Sequence, residues 1–317
     1  MYLNELYDLA IALGMEADPR GKAAVERILA RTRTEYEKLD AEAKEEFDTA
    51  KLTNPYADTR ISYGDSKLEV KKLITGIDVD VADLMLADRL REKGNPIDLV
   101  ISHHPSGLGS VRFSEVMYMQ SDMLHDLGVP INVAEGILQD RIDEVRRRGM
   151  PSNHYRVVDA ARLLDMPLMC MHTPADNNVQ KLVQRHVDTA NPETLEDLIK
   201  TLKEIPEYKE AARLGTGPTI LAGRKDARCG KIDVTMTGGT GGPKSDIEAM
   251  VKAGVGTTIQ MHMSDERLEE AKKHHLNVVI AGHMASDSIG MNIILDEFEK
   301  KGVEVQVFSG LIRHRRY

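Results

Sequence analysis

Three short apolar runs, each closing on a histidine-bearing motif, constrain this chain more than any other feature. Ile97–Ser102 runs into His103-His104-Pro105, Pro167–Met171 into His172-Thr173-Pro174-Ala175-Asp176, and Asn277–Gly282 into His283-Met284-Ala285-Ser286-Asp287. Runs this short and this apolar read as strands buried on both faces of a parallel sheet. Ligand sites in open parallel sheets form beyond the carboxyl ends of the strands. The three polar clusters are therefore expected on the same edge. Imidazole nitrogens and carboxylates are accepted as ligands by zinc, iron and manganese, so together the clusters look like a two-metal site.

Each motif also has a plainer reading. Adjacent side chains on an extended strand point to opposite faces, and Pro105 holds His104 extended, so His103 and His104 can face two different metals. Alone, the dipeptide is a pair of polar loop residues; at the end of a buried strand the ligand reading is favoured. In His172-x-x-x-Asp176 and His283-x-x-x-Asp287, a helix starting just after the histidine puts both residues on one face. The alternative is that Asp176 or Asp287 caps the helix that follows. Two copies beside a His-His pair make capping the minority reading. The loop Thr237-Gly238-Gly239-Thr240-Gly241-Gly242, with Lys244 nearby, exposes backbone N–H groups that can cradle an anion. It lacks the GxGxxG and Walker spacings, and a flexible turn is an equal alternative. Asp78, at a strand end, reads as a carboxylate orienting a histidine or as a helix cap. His262 ends a strand near the site, whereas His274-His275 lies in a charged helix and reads as surface.

The pattern along the chain is helical to about residue 50, with Leu3, Leu6, Ala10 and Leu13 at helical spacing, and this stretch reads as an appended arm. An α/β body follows after a loop marked by Asn54-Pro55-Tyr56 and Tyr63-Gly64-Asp65, interrupted by helical sequence between roughly 114 and 165. A second α/β half begins near 215, with strands expected at Pro218–Gly223, Lys231–Thr237, Gly256–Met261, Asn277–Ala281 and Val303–Phe308. The resulting division is a helical extension (1–53), a first lobe (54–200) and a second lobe completing the site (201–317). A net charge of −9 argues against a generic nucleic-acid binder. The basic Arg313-His314-Arg315-Arg316 tail reads as solvated or subunit-contacting. Two cysteines exclude a disulfide scaffold and suit a reducing compartment. The first residues are not those of a signal peptide, and no apolar run spans a membrane, so a cytoplasmic protein is expected.

The order strand, His-His-Pro, His-Thr-x-x-Asp, then Gly-His with a carboxylate four residues on resembles the Nif-three-like family, whose members are known as GTP cyclohydrolase I type 2 homologues. The resemblance covers roughly residues 54–317 and takes in Gly64-Asp65, Val70-Lys71-Lys72 leading to Asp78, the glycine loop near 239, and Gly282-His283. It implies an α/β, two-lobed Nif-three-like fold with mostly parallel sheets, here with an N-terminal helical extension and a helical insertion. It also implies a dinuclear centre held by His103, His104, Asp176, His283 and Asp287, with the acids at 176 and 287 placed to bridge, His172 beside it as acid or base, and a toroidal homohexamer. The chain departs from the family pattern in its Asp287, where Glu is usual, in the longer stretch between His104 and His172, in its N-terminal helices, and in Gln260-Met261-His262-Met263.

The function expected on these grounds is a metal-dependent hydrolase. It would use two divalent transition-metal ions (Zn, Fe or Mn) on a small phosphorylated or nucleotide-like cyclic substrate. His172 or His262 would move the proton, and Gly239, Gly241 and Lys244 would hold an anionic group. The alternative is a metal-binding scaffold or metallochaperone acting through protein partners. A purely structural role ranks last, because five ligands for two ions leave open coordination positions.

Overall fold

A computed structural model describes residues 1–317. Nine strands, β1 (Arg60–Tyr63), β2 (Lys72–Gly76), β3 (Leu99–Ser102), β4 (Leu168–Cys170), β5 (Thr219–Ala222), β6 (Lys231–Thr235), β7 (Val255–Gln260), β8 (Asn277–Ile280) and β9 (Glu304–Val307), form two sheets. Their orders are β1-β4-β3-β2-β9 and β5-β8-β7-β6. Both sheets are parallel except for one edge strand: β1 runs antiparallel to β4, and β5 antiparallel to β8, each with a register shift. The loose echo between the two halves of the sequence is thus a shared plan. Strands β3 and β4 are buried at every residue, as their unbroken apolar runs require.

Fourteen α-helices and two short 3-10 helices, Thr49–Leu52 and Phe113–Tyr118, complete the chain. The α-helices are α1 (Leu3–Ala17), α2 (Lys22–Glu37), α3 (Ala41–Glu46), α4 (Val81–Glu92), α5 (Leu108–Val111), α6 (Met119–Leu127), α7 (Ile131–Gly149), α8 (Arg156–Leu163), α9 (Thr173–Ala190), α10 (Leu195–Leu202), α11 (Pro206–Arg213), α12 (Ser245–Lys252), α13 (Asp265–Lys273) and α14 (His283–Lys300). Helices α9 and α14 join the lobes. Met291, Ile294, Leu295 and Phe298 of α14 pack with Leu73, Leu99, Ile101 and Met169 of the first sheet. Val179 and Val183 of α9, with Ala285 and Ile289 of α14, pack with Val234, Ile259 and Val279 of the second. The two helices cross at Gly290, where an added Cβ would fall 2.6 Å from the Ala175 carbonyl carbon. Only glycine lets the backbones come this close.

Three expectations are corrected here and a fourth is sharpened. Val303–Phe308 belongs to the first sheet rather than the second half: β9 pairs in parallel with β2. Residues 60–63, read as part of a loop, form the edge strand β1. The first helix does not stand off as an arm, because Leu3, Leu6 and Ala10 are fully buried in the core of the first sheet. The basic tail, read as solvated or subunit-contacting, keeps Arg315 and Arg316 exposed and is in addition docked on its own chain. Arg313 pairs with Asp296 and Glu299, Arg315 with Glu299, and Arg316 with the buried Glu207.

The helical stretch after β3 carries Met117, Leu124, Ala134, Leu138 and Ile142 on one apolar face, as its periodicity predicts. That face packs on Ile247, Met250, Val255 and Val278 of the second lobe. Sequence inserted in one lobe therefore roofs the other and spans the cleft between them. No helix is long and apolar enough to cross a membrane.

Candidate metal centre

The carboxyl ends of β3 and β4 in one sheet and of β8 in the other converge on the cleft, so the three motifs meet from two facing edges rather than along one. Past β3 the chain bends at His103 and His104, whose successive N–H groups both donate to the segment after β2, to the Gly76 and Ile77 carbonyls at 2.9 and 3.0 Å. His103 is turned inward and His104 toward the cavity, with 1% and 27% of their side-chain surfaces exposed. Past β4 the chain turns at His172 into α9, placing Asp176 in the first turn. Past β8 it turns at Gly282 (φ +107°) into α14, with His283 and Asp287 one turn apart. Neither aspartate caps its helix.

Three donor groups result: an inner and an outer set that share one carboxylate, and the trio His103, His104 and His172. In the inner set, His103 Nε2 lies 3.4 Å from Asp176 Oδ1 and 3.5 Å from Asp287 Oδ1. In the outer set, His104 Nε2 and His283 Nε2 lie 3.6 and 3.4 Å from Asp287 Oδ2. Within each set the ligand atoms are all within 4.8 Å of one another. These separations are too long for good hydrogen bonds and suit atoms disposed around an ion. His103 Nε2, Asp176 Oδ1 and both Asp287 oxygens are buried without any hydrogen-bond partner. Buried polar atoms are normally paired, and four orphans converging on one place fit cations. The buried His/Asp groups can hold metal ions.

Neighbouring acceptors fix the rings. His103 Nδ1–H donates to the Met171 carbonyl at 3.1 Å and His104 Nδ1–H to Asp78 Oδ1 at 2.6 Å. Both rings thereby present Nε2 to the cluster, the support expected around metal ligands. Of the two readings of Asp78, the histidine-orienting one is observed. His172 Nδ1–H donates to Asp58 Oδ2 at 2.9 Å, and Asp58 also accepts from the Thr173 hydroxyl at 2.6 Å. The His172 ring stacks on His103, with centroids 4.7 Å apart.

Charge balance explains the titration behaviour. Burial alone would lower the His103 pKa, but Asp287 and Asp176 overcome it and hold it well above the usual histidine range. For Asp287, burial would raise the carboxyl, and His103 above all brings it below its ordinary value. Burial, then His103 and His172, push His104 down to about 4. The two aspartates thus favour the protonated form of His103, while burial favours the neutral ring of His104.

All five residues read as ligands, His103, His104, Asp176, His283 and Asp287, are brought together. His172 adjoins them, and the His262 ring is tilted against that of His283 with centroids 4.9 Å apart. Gly239 borders the cavity above the histidines, about 770 Å³, whereas Gly241 and Lys244 border an adjoining one of about 590 Å³. His274 bonds Glu270 at 2.9 Å, away from the site, as read. Sequence reasoning missed Asp58, which meets His172 across 114 positions, and Phe113, whose ring meets His172 edge-on at 5.4 Å. No local spacing marks either.

No protein-family model matches the chain, and no curated protein matches it. Among solved structures it is similar to a NIF3 superfamily protein from Sphaerobacter thermophilus, with 30% identity, a TM-score of 0.70, and coverage of 80% of this chain and 92% of that one. Two further similarities are reduced HcgD from Methanocaldococcus jannaschii (15% identity, TM-score 0.49, 84% and 94% covered) and a Bacillus cereus protein related to NIF3 (13%, 0.43, 82% and 92%). The match to the Sphaerobacter protein extends over nearly the whole of that chain, and on it this protein belongs to the NIF3 superfamily.

Proposed function

We propose that this protein is a dinuclear metal-dependent hydrolase acting on a small phosphorylated or nucleotide-like cyclic substrate. The observation that carries the proposal is Asp287. Its two buried oxygens have no hydrogen-bond partner, and each faces a different donor set. His103, Asp176 and Asp287 would hold the inner ion, and His104, His283 and Asp287 the outer. Two such ions, of zinc, iron or manganese, supply Lewis acidity and a lowered water pKa when bound.

The protein's own groups would do the rest. The inner set is buried, while His104 and His283 are 27% and 38% exposed toward the cavity, so substrate would approach from the outer side. His172, only 5% exposed, borders that cavity. Asp58 fixes its Nδ1–H, leaving Nε2 to take or return a proton. Burial opposes protonation of His172, but Asp176 and Asp58 outweigh it and raise its pKa, which suits proton storage. His262, lowered by burial and then by His283, is the second candidate base. We further propose the ring-shaped homohexamer that the family resemblance implies; light scattering showing a monomer would contradict it.

The test is turnover of a panel of phosphoesters and cyclic amides by metal-loaded protein, beside His172→Gln and Asp287→Asn. Hydrolysis lost in both, with metal retained in His172→Gln and reduced in Asp287→Asn, supports the proposal. A metal-loaded protein that turns over none of the panel favours the scaffold or metallochaperone reading.

A further inference from the structure

We propose that the helical insertion builds an anion subsite beside the metal cluster, suited to a terminal phosphate or similar tetrahedral oxyanion carried by the substrate. The subsite deepens the hydrolase reading, since it names how a phosphorylated substrate would be held away from its reacting group. The cavity over the histidines and its neighbour share Arg148, Thr240 and His262 along their borders, so the glycine loop runs from one into the other.

The insertion dictates how that loop presents itself. Gln120 Nε2 of α6 donates to the Gly238 and Thr240 carbonyls at 2.6 and 2.7 Å, and Arg141 Nε of α7 to the Gly241 carbonyl at 3.1 Å. In a trans peptide the carbonyl and the following N–H point in opposite directions. The N–H groups of Gly239, Gly241 and Gly242 therefore turn away from the side chains that hold the loop. These three and the Thr240 N–H meet no acceptor in the protein. Gly238 and Gly239 have φ of +95° and +85°, which ordinary side chains adopt rarely. A row of free N–H groups on a fixed turn is an anion-binding concavity.

Side chains reinforce it. Glu144 lies between Arg141 and Arg148, at 2.7 and 2.6 Å, so one carboxylate serves two guanidinium groups. Arg146 and Arg148 border the histidine cavity. Arg267 borders the neighbouring one and is only 6% exposed; Asp246 and Gln260 hold its two Nη groups, and its Nε is buried without a partner. Asp140, Asp265 and Glu266 stand on the same rim, so net charge alone does not select an anion. The free N–H row does, with the exposed Arg148, which makes a single contact to Glu144, beside it, because a tetrahedral oxyanion has acceptors enough for both. Its binding energy would be available to orient the reacting end at the metals.

The test is calorimetric titration of the chelator-treated, full-length chain with inorganic phosphate, beside Arg148→Gln and Gln120→Leu. Removing metal keeps phosphate from binding there. Wild type is expected to bind, Arg148→Gln at least about fivefold more weakly and Gln120→Leu about tenfold. Metal uptake, measured separately, should be unchanged in both. Arg148 has 73% of its side chain exposed, so that variant folds even if Gln120→Leu does not. No phosphate binding by wild type, or equal binding in the folded variants, overturns the subsite whatever becomes of the metal centre. Phenyl phosphate binding as well as phosphate supports a substrate-borne group, and its exclusion while phosphate binds overturns that assignment.

Discussion

Gly290→Ala tests whether the crossing of α9 and α14 sets the carboxylate geometry. Alanine normally stabilises a helix interior by about 0.5–1 kcal/mol relative to glycine. Here the added methyl would sit 2.6 Å from the Ala175 carbonyl carbon, against ordinary carbon contacts of about 3.5–4 Å. The helices must part by about 1 Å, and overpacking of this kind costs about 1–3 kcal/mol. At about 2.1 cal/mol/K of unfolding entropy per residue, 317 residues lose about 1.5 °C of Tm per kcal/mol, so a fall of about 2–5 °C is expected. Asp176 follows Ala175 directly, and Asp287 lies one turn before Gly290. A separation of about 1 Å is several times the ~0.2 Å tolerance of metal–ligand distances. Metal affinity should therefore fall at least about tenfold, read by competition with a chromophoric chelator. Gly136→Ala in α7, where nothing lies within 4 Å of the added methyl, is the control and should melt slightly higher. A Gly290→Ala protein that melts no lower than wild type and binds metal equally would refute the reasoning.

Three other outcomes are expected. Asp58→Asn, which leaves His172 without its charged acceptor, should lower turnover about 100-fold with metal content unchanged. A divalent ion at about 1,000 times its Kd should stabilise the chain by about 4 kcal/mol, or about 6 °C in Tm over 317 residues, and Asp287→Asn should abolish most of that shift. Glu299→Gln should loosen the docked tail, leaving its contacts to Asp296 and Glu207, and speed its proteolysis severalfold at neutral pH. Arg315, and then Arg313 against the opposing effect of burial, hold the Glu299 carboxyl below its ordinary value. Its contribution is therefore complete above about pH 4.3 and lost as pH falls through the lowered value, so the difference between wild type and variant should vanish in acid.

The clustered histidines and aspartates were legible because each follows a strand too short and too apolar to be anything but buried, and because His-x-x-x-Asp keeps two groups on one helical face. Asp58 was illegible for the opposite reason. It acts on His172 through a contact between distant parts of the chain, and nothing around Asn54-Pro55-Tyr56 distinguishes it from a loop acid. The strand at 304–307 was recognisable as a strand, yet its partner was not: β9 and β2 are 232 positions apart at their first paired residues, Lys72 and Glu304, and pairing over that span leaves no periodic trace. The docking of the tail was illegible because a run of arginines reads as free charge until its acceptors are seen. Those acceptors, Asp296, Glu299 and the buried Glu207, lie on α14 and α11. Similarly, the periodicity of the insertion announced helices but could not say that their apolar face would roof the second lobe.

Anomalous diffraction from crystals soaked in manganese or zinc tests the central claim most directly. Two peaks about 3.5–4 Å apart, one beside His103 and Asp176 and the other beside His104 and His283, with Asp287 between them, are expected. In Asp287→Ala at least one peak should disappear. A single peak, or two peaks that persist unchanged without Asp287, would contradict a centre bridged by that carboxylate.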